Sequence, residues 1–445
     1  MKNIFYFVIS LFVLVGCSDK DKSFDGSQFQ TLMKNLYQED RFNGAVIVGL
    51  RGNVLYEGAW GVANKKQNAI FTTDTPIDGA SIAKTFTATA IWMLIEEGRL
   101  SPEDYVIDHL DYYPHSNTKI KHLIDHSAGL PEWTNADGKS NKELIKSFRQ
   151  QPSFVPGSQF SYCNACYDVL ALLIEEVSGR SWADFLELRL FEPLNMKSTF
   201  LRPPNLSDWQ GVRTLSYRLE NDSFVEFDIF DKEAFYGSAN LYFSATDLHK
   251  WVSAMVKDEV IPSSIKSAAF ENASFRFGAN SSMNRLNWYN ASSNGPFYFN
   301  GHFRGFHHDI YWDPKTGVTV VWVSNVLEAR PPAQLLTRAL VRIAAGEQVD
   351  LSLKLEFDST KQRIDKSLLE GKYSIEGVGT IQVSLDGDKV MFRINDSPPY
   401  QGYPSHGFYI PEFDAEVGFS NITGAGYETL HWLSVFDYTS GERID

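Results

Sequence analysis

Strand-like segments at both ends of the first 345 residues enclose a long stretch whose apolar spacing is helical. Phe42–Leu50 is dense in β-branched residues, and Val54–Trp60 follows after a short turn, so this pair predicts two antiparallel strands. From Ser81 to Glu97 the apolar residues recur at helical spacing. Strand patterns resume within 297–325 and are followed by an amphipathic helix. The order predicts an α+β fold: an antiparallel sheet flanked by helices, with a helical insertion over about 80–240.

The pattern changes again near Leu351. Short segments that alternate apolar and polar residues follow one another, and Asp386-Gly387-Asp388 has the composition of a tight turn. We therefore predict a small all-β domain over 351–445, after a main domain over 28–347.

Charge and composition exclude several classes of protein. Asp and Glu outnumber Lys and Arg by 55 to 41, which gives a formal net charge of −14. Nucleic-acid binding needs a basic footprint on the phosphates, so we expect no nucleic-acid partner. Hydrophobic residues make up 43% of the chain, enough to bury a core and to exclude global disorder.

The N-terminus has the pattern of an export signal. Lys2 precedes an apolar run, Ile4–Val15, that is too short to span a bilayer. Leu14-Val15-Gly16-Cys17 resembles a bacterial lipobox. The resemblance implies that residues 1–16 are a lipoprotein signal peptide and that Cys17 is lipidated and anchors the chain to a membrane, with 17–27 as a polar tether. An ordinary signal peptide with an incidental Cys is the alternative. Because Ser18 follows the Cys, we expect the outer membrane, facing the periplasm.

The strongest local motif is Ser81-Ile82-Ala83-Lys84. At this spacing on a first helical turn the hydroxyl and the amine share one face, with Cβ atoms about 5–6 Å apart. A serine needs a nearby base to act as a nucleophile, and a buried lysine can serve. The helix N-terminus adds N–H groups that suit a developing oxyanion. The motif alone also occurs by chance.

Two later segments supply further candidates. Tyr162-Cys163-Asn164 follows a Pro-Gly turn and precedes a predicted helix. A tyrosine held beside cations can act as a general base, and an asparagine can bond a substrate amide. A buried structural tyrosine is the alternative. His302-Phe303-Arg304-Gly305 lies at a predicted strand edge.

Together these motifs resemble the serine β-lactamase and penicillin-binding-protein superfamily, in particular its class C-like branch. The resemblance covers roughly 29–345. The supporting segments are Ile120–Pro131, Pro156–Asn164, Leu173–Gly179, Phe191–Met196 and Ser244–Leu248. It implies a β-lactamase/transpeptidase-like fold.

The resemblance also implies residue roles. Ser81 would be the acylated nucleophile, Lys84 would help to deprotonate it, and Tyr162 would relay a proton to the leaving group. Asn164 would hold the substrate, and His302 would stand where the family has Lys or His.

The oxyanion hole would be formed by the N–H groups of Ser81 and Gly305. Two positions depart from the family pattern. Cys163 replaces a small residue, and Arg304 replaces the usual Gly of the third motif. A bulky cation there could narrow the cleft or pair with a substrate carboxylate.

Other patterns have more than one interpretation. Cys163 and Cys166 could be a redox pair or half a metal site, although we favour two small residues packed at a helix start. Lys315-Thr316-Gly317 spells the family's third motif, but its position after Asp313-Pro314 favours a hairpin turn.

Histidine pairs also suggest metal sites. His122 and His126 are spaced i, i+4, but the glutamate of the H-E-x-x-H motif is absent, so a structural role is favoured. His302, His307 and His308, with Asp309, could form a cluster, but no carboxylate-rich partner segment is evident. We expect neither a metal nor another cofactor.

The sequence therefore predicts a lipid-anchored serine hydrolase that forms an acyl-enzyme on Ser81. The substrate could be a D-Ala peptide, a carboxylic ester or a small D-amino-acid amide. The alternative is a non-catalytic or slowly deacylating penicillin-binding-like envelope protein.

Overall fold

The computed structural model describes most of the chain beyond residue 25. The described ranges are 26–131, 139–147, 150–220, 223–228, 236–277, 281–290, 295–327, 333–353, 364–375, 378–395, 399–404, 408–410, 415–423, 426–433 and 438–445. The predicted signal peptide, the predicted lipidation site Cys17 and the predicted tether up to residue 25 lie outside them. Across the described residues, no helix has the length and apolar character needed to span a bilayer.

Strands of the main domain alternate with helical segments, as the sequence predicts. In chain order they are β1 (Gly44–Leu50), β2 (Asn53–Trp60), β3 (Val62–Asn64), β4 (Ala69–Ile70), β5 (Ile77–Asp78), β6 (Phe200–Leu201), β7 (Tyr217–Glu220), β8 (Ser223–Glu226), β9 (Leu241–Phe243), β10 (Asn272–Phe277), β11 (Ser281–Asn284), β12 (Tyr289–Asn290), β13 (Phe297–Phe303), β14 (Phe306–Trp312), β15 (Val318–Ser324) and β16 (Val326–Leu327).

The main sheet is antiparallel and has the order β10-β11-β12-β13-β14-β15-β1-β2. Strand β1 thus lies beside β15, with Ile47 opposite Val321, so the first hairpin completes a sheet whose other strands come more than 200 residues later. Residues of β14 and β15 are buried along the whole length of both strands. A strand buried in this way must be covered on both faces.

Helices provide that cover. They are α1 (Ser27–Gln38), α2 (Ala83–Glu96), α3 (Val106–His109), α4 (Ile120–Ile124), α5 (Asn141–Ser147), α6 (Asn164–Ser178), α7 (Trp182–Leu186), α8 (Ala245–Val256), α9 (Ser263–Ala269) and α10 (Ala333–Ala344). The hydroxyl of Thr319 lies 3.3 Å from a ring nitrogen of His249 on α8, whereas the indole of Trp322 donates to Thr337 on α10. Side chains three positions apart on a strand point to opposite faces, so α8 and α10 cover the two faces of the sheet. The α+β prediction is confirmed.

Some helical boundaries differ from the sequence prediction. Helix α7 changes at Glu187 into a single π-helical turn, Glu187–Phe191. Ser81 lies in a 3₁₀ turn, Ala80–Ile82, that precedes α2. Helix α1 was not predicted, because its first residue belongs to a polar segment that looks like a tether.

The C-terminal segment forms a closed antiparallel barrel, which confirms the all-β prediction. Its strands are β17 (Gly371–Ile375), β18 (Gly379–Asp386), β19 (Lys389–Ile394), β20 (Tyr400–Pro404), β21 (Phe408–Ile410), β22 (Ala415–Thr423), β23 (Gly426–Leu433) and β24 (Tyr438–Arg443). Each strand pairs with the next, and β24 pairs back with β17. Alternate residues point inward, and Tyr373, Phe392 and Leu430 fill the interior.

Candidate active site

The nucleophile candidate Ser81 lies in a tight turn between β5 and α2. Ala80, just before it, has a φ of 45°, in the left-handed region that costs energy for a residue with a Cβ atom. The N–H of Ala80 donates to the Asp78 carboxylate at 3.0 Å. The ring of His308 on β14 donates to the backbone carbonyl of Asp78 at 2.5 Å. The sheet therefore holds the turn that carries Ser81, whose side chain is half-buried.

Lys84 lies one helical turn beyond Ser81 and is fully buried, at 0% exposure. Its Nζ atom donates to the Oγ atom of Ser81 at 3.0 Å and to the backbone carbonyl of Ser238 at 2.9 Å. The backbone N–H of Ser238 in turn donates to the buried Asp168 carboxylate at 3.1 Å. The amine is thus aimed at the hydroxyl by a fixed carbonyl, and the predicted proximity of Ser81 and Lys84 is confirmed. The role of Ser238 was missed because a backbone carbonyl leaves no mark in a sequence.

Tyr162 reaches the same place from the loop before α6. The Nζ atom of Lys84 lies 5.0 Å from the centroid of the Tyr162 ring. Cys163 is extended, with φ −139° and ψ 102°, and its side chain is buried. Its neighbours Tyr162 and Asn164 are both half-buried, and Asn164 is the first residue of α6. The structure therefore brings Ser81, Lys84 and Tyr162 together, with Asn164 beside them.

His126 supports this loop from behind. The backbone N–H of Cys163 donates to its Nδ1 atom at 2.9 Å, and its Nε2 atom lies 2.8 Å from the Oδ1 atom of Asn287. Burial lowers the pKa of His126 to about 3. Both ring nitrogens are engaged, which supports the structural interpretation. His122 accepts the N–H of Lys119 through Nδ1 at 3.2 Å.

Cys163 and Cys166 form a disulfide at the start of α6. The interpretation as two independent packed residues is therefore wrong. The three-residue separation at a helix start brings the two sulfur atoms together, because residues i and i+3 share a face. The bond encloses Asn164 and adjoins Tyr162.

Gly301 on β13, rather than Arg304, faces the nucleophile. A Cβ atom on Gly301 would lie 2.7 Å from the carbonyl oxygen of Gly79 and 3.2 Å from the backbone nitrogen of Ile82. Only glycine allows so close an approach of the strand to the turn that carries Ser81. Gly301, and not Arg304, is therefore the residue of β13 that approaches the Ser81 turn.

His302 is directed away from Ser81. Because neighbouring side chains on a strand point to opposite faces, the side of Gly301 that meets the nucleophile turn is not the side of His302. The His302 ring stacks on His307 at 5.2 Å, and His307 in turn lies 5.1 Å from Trp322, on the face covered by α10. The expected role of the His302 side chain therefore does not agree with the geometry.

Arg304 and Gly305 form the two-residue turn between β13 and β14. Their φ angles are 46° and 90°, as a type I′ hairpin requires. A Cβ atom on Gly305 would lie 3.0 Å from the Cβ atom of Ser216, so this glycine adjoins the segment before β7. It lies about 10 Å along the hairpin from Gly301. The expectation that the N–H of Gly305 completes the oxyanion hole is therefore not supported.

The remaining patterns have structural roles in the described residues. Lys315-Thr316-Gly317 forms the turn between β14 and β15, where the N–H of Lys315 and the hydroxyl of Thr316 both donate to Asp313 at 2.9 Å. This confirms the hairpin interpretation. Among the residues that the structure describes, no three His, Cys, Asp or Glu side chains are grouped so that they could hold a metal ion.

Known proteins show the same fold. Residues 29–345 match the Beta-lactamase family. A penicillin-binding protein of Bacillus subtilis is 25% identical over 88% of this chain and 93% of its own length. The octameric penicillin-binding protein homologue from Pyrococcus abyssi superposes with a TM-score of 0.64 at 19% identity, over 94% of this chain and 99% of that one.

A D-amino acid amidase from Ochrobactrum anthropi superposes with a TM-score of 0.59 at 17% identity, over 73% of this chain and all of that one. The family match covers more than half of the sequence, and it spans Ser81, Lys84 and Tyr162. The chain therefore belongs to the Beta-lactamase family, the group of serine hydrolases of amide and ester bonds that also contains penicillin-binding-protein homologues.

Proposed function

We propose that the protein hydrolyses an amide or ester bond through an acyl-enzyme on Ser81. The observation that carries this proposal is the 3.0 Å contact between the Nζ atom of fully buried Lys84 and the Oγ atom of Ser81. A fixed amine within hydrogen-bond distance of a hydroxyl is the arrangement that activates a serine.

The proposed reaction has two halves. Lys84 takes the proton of Ser81 while Oγ attacks the substrate carbonyl carbon. As the tetrahedral intermediate collapses, the proton passes through Tyr162 to the leaving amine or alkoxide. Water then attacks the acyl ester, the carboxylic acid leaves, and a proton of that water passes to Oγ of Ser81.

We place the oxyanion hole at the backbone N–H groups of Ser81 and His302. Phe303 and Phe306 flank the two-residue turn and pair directly. In such a hairpin this pair exchanges both backbone hydrogen bonds, so the N–H of the preceding residue, His302, points away from β14. Gly301 brings this edge against the nucleophile turn. Two N–H groups can then converge on the developing oxyanion.

The proposed substrates are small acyl compounds. One structural neighbour is a D-amino acid amidase, and a relative is a penicillin-binding protein. We infer that the cleft accepts D-amino-acid amides, D-Ala-terminated peptides or simple esters, with the amide of Asn164 bonded to the substrate.

A second candidate function is a protein that acylates but deacylates slowly. The family's third motif has a cation two positions before its glycine. With Gly301 as that glycine, the position falls on Phe299, which is 1% exposed and stacks on Tyr289 at 5.6 Å. An apolar ring there supplies no positive charge to bind a substrate carboxylate or to assist water.

One experiment separates these functions. The full-length protein in detergent is incubated with a carboxylic ester, a D-Ala-D-Ala peptide and benzylpenicillin, and both product and intact mass are followed. Turnover that disappears in Ser81→Ala supports the hydrolase. A stoichiometric adduct without turnover supports slow deacylation, and the absence of both would exclude acyl-enzyme chemistry.

We also propose that lipid on Cys17 holds the protein in the bacterial envelope, on the outer membrane facing the periplasm. The lipobox-like Leu14-Val15-Gly16-Cys17 supports this proposal. Labelled palmitate should enter the wild type and not Cys17→Ala. Equal labelling of the two would overturn the assignment.

A further inference from the structure

His126 forms the inner wall behind the Tyr162 phenol. Its ring stacks on the phenol with 4.6 Å between centroids and 15° between planes, and it also stacks on Tyr167 at 4.9 Å. No part of His126 is exposed. Tyr162 itself lies outside regular secondary structure, two residues before the first residue of α6. The imidazole therefore packs face to face on this ring.

The hydrogen bonds fix the protonation state of this imidazole. The N–H of Cys163 donates to Nδ1, so Nδ1 carries no proton, and the proton of the neutral ring must be on Nε2. That N–H is donated to the Oδ1 atom of Asn287 at 2.8 Å. A carboxylate at position 287 would favour the imidazolium, whereas an amide oxygen does not. A protonated Nδ1 would face the N–H of Cys163, donor against donor.

Other ionisable groups near this imidazole leave it neutral. Lys84, whose Nζ atom lies 5.0 Å from the Tyr162 centroid, disfavours a second positive charge. Asp125, the residue before His126, faces Arg285 at 3.4 Å. His126 therefore adds no positive charge beside the phenol.

We propose that His126 is a positioning residue for Tyr162: its neutral ring fixes both the plane of the phenol and the backbone of Cys163, and Asn287 fixes the ring. The inference depends on the proposed function, because it assumes that Tyr162 delivers a proton to the leaving group. Proton transfer requires the phenol to be held close to one geometry, which a loop residue cannot maintain alone.

Two substitutions separate the two hydrogen bonds. In His126→Asn the side-chain oxygen can take the place of Nδ1 and keep the bond from Cys163. In His126→Gln the side-chain nitrogen can take the place of Nε2 and keep the bond to Asn287. We expect kcat to fall about 10- to 100-fold in His126→Gln and less in His126→Asn, with KM nearly unchanged.

The leaving group provides a readout that a merely structural role would not change. An amide nitrogen must be protonated to leave, whereas p-nitrophenolate leaves unprotonated. In His126→Gln, acylation by benzylpenicillin should therefore slow far more than acylation by a p-nitrophenyl ester. Rates are normalised to the fraction of protein that fluorophosphonate labels at Ser81, so that unfolded protein does not count. Equal slowing of both reactions, or none, would overturn the inference.

The Tyr162→Phe background distinguishes this inference from the proposed function. If His126 acts through Tyr162, His126→Gln should cause little further loss there. If instead the double variant loses activity by the product of the two single-variant losses, the role of His126 would be overturned and that of Tyr162 would remain intact. Wild-type acylation by benzylpenicillin in Tyr162→Phe itself would overturn both roles.

Discussion

A Cβ atom placed on Gly301 would lie 3.2 Å from the backbone nitrogen of Ile82, the residue after the nucleophile. This contact determines which strand residue faces the reaction centre. It places β13 against the turn that carries Ser81 and leaves Arg304 in the hairpin turn.

Gly301→Ala should therefore impair catalysis. The added methyl group would lie 2.7 Å from the carbonyl oxygen of Gly79, and the backbone of the turn would have to move. Such overpacking costs about 1–3 kcal/mol, so we expect kcat/KM to fall about 10- to 100-fold. The matched control is Arg304→Gly, which restores the glycine that the sequence motif seemed to lack. We expect it to change kcat/KM by no more than about twofold. A gain in activity in Arg304→Gly would contradict the placement.

Lys84→Met should abolish most activity. The variant keeps the apolar length of the side chain but removes the only amine that the described structure places within 3.0 Å of Ser81, and it leaves the Ser238 carbonyl without that donor. Loss of a general base costs about 10²- to 10⁴-fold in kcat. The control is Lys315→Met, in the exposed Lys-Thr-Gly turn, which should retain wild-type kcat. Loss of activity in Lys315→Met would show that the literal motif does carry chemistry.

The site was predictable wherever the chemistry follows from local spacing. Ser81 and Lys84 share one helical face, and Tyr162 and Asn164 flank a single extended residue, so a few positions of sequence define each pair. His302 was misplaced because a strand has two faces and a shift of one residue exchanges them. Which glycine meets Ser81 depends on strand packing that no local pattern shows.

The Cys163–Cys166 disulfide should affect activity more than stability. Its closed loop is so short that the chain-entropy model assigns it only about 2 kcal/mol of stabilisation. It adjoins Tyr162 and encloses Asn164, so its loss should loosen both. We expect the Cys163→Ser/Cys166→Ser variant to lose several-fold in kcat with a small change in denaturation midpoint. Unchanged kcat, or free thiols in the wild type by mass spectrometry, would contradict this role.

Stability should fall in acid because of buried neutral histidines. Burial lowers the pKa of His126 to about 3 and that of His249 to about 4, against about 6.5 in the unfolded chain. Below pH 6.5 the unfolded state binds protons that the folded state does not, so each histidine removes about 1.4 kcal/mol per pH unit until its folded pKa is reached. Asp125, whose pKa burial raises to about 6, opposes part of this between pH 6 and 4.

Urea denaturation at pH 7 and pH 5 measures this effect. The free energy of unfolding should be lower at pH 5 than at pH 7. The decrease should be smaller in His126→Phe than in the wild type, because unfolding of the variant takes up about one proton fewer. Equal decreases in the two proteins would mean that His126 is not buried in its neutral form.

Covalent labelling of Ser81 tests the central proposal most directly. The full-length protein is treated with a fluorophosphonate probe, and the modified residue is located by peptide mass spectrometry. We expect one adduct per chain on Ser81, and none in Ser81→Ala or after denaturation. An adduct of equal yield in Ser81→Ala, or none in the wild type under conditions that label related serine hydrolases, would contradict it.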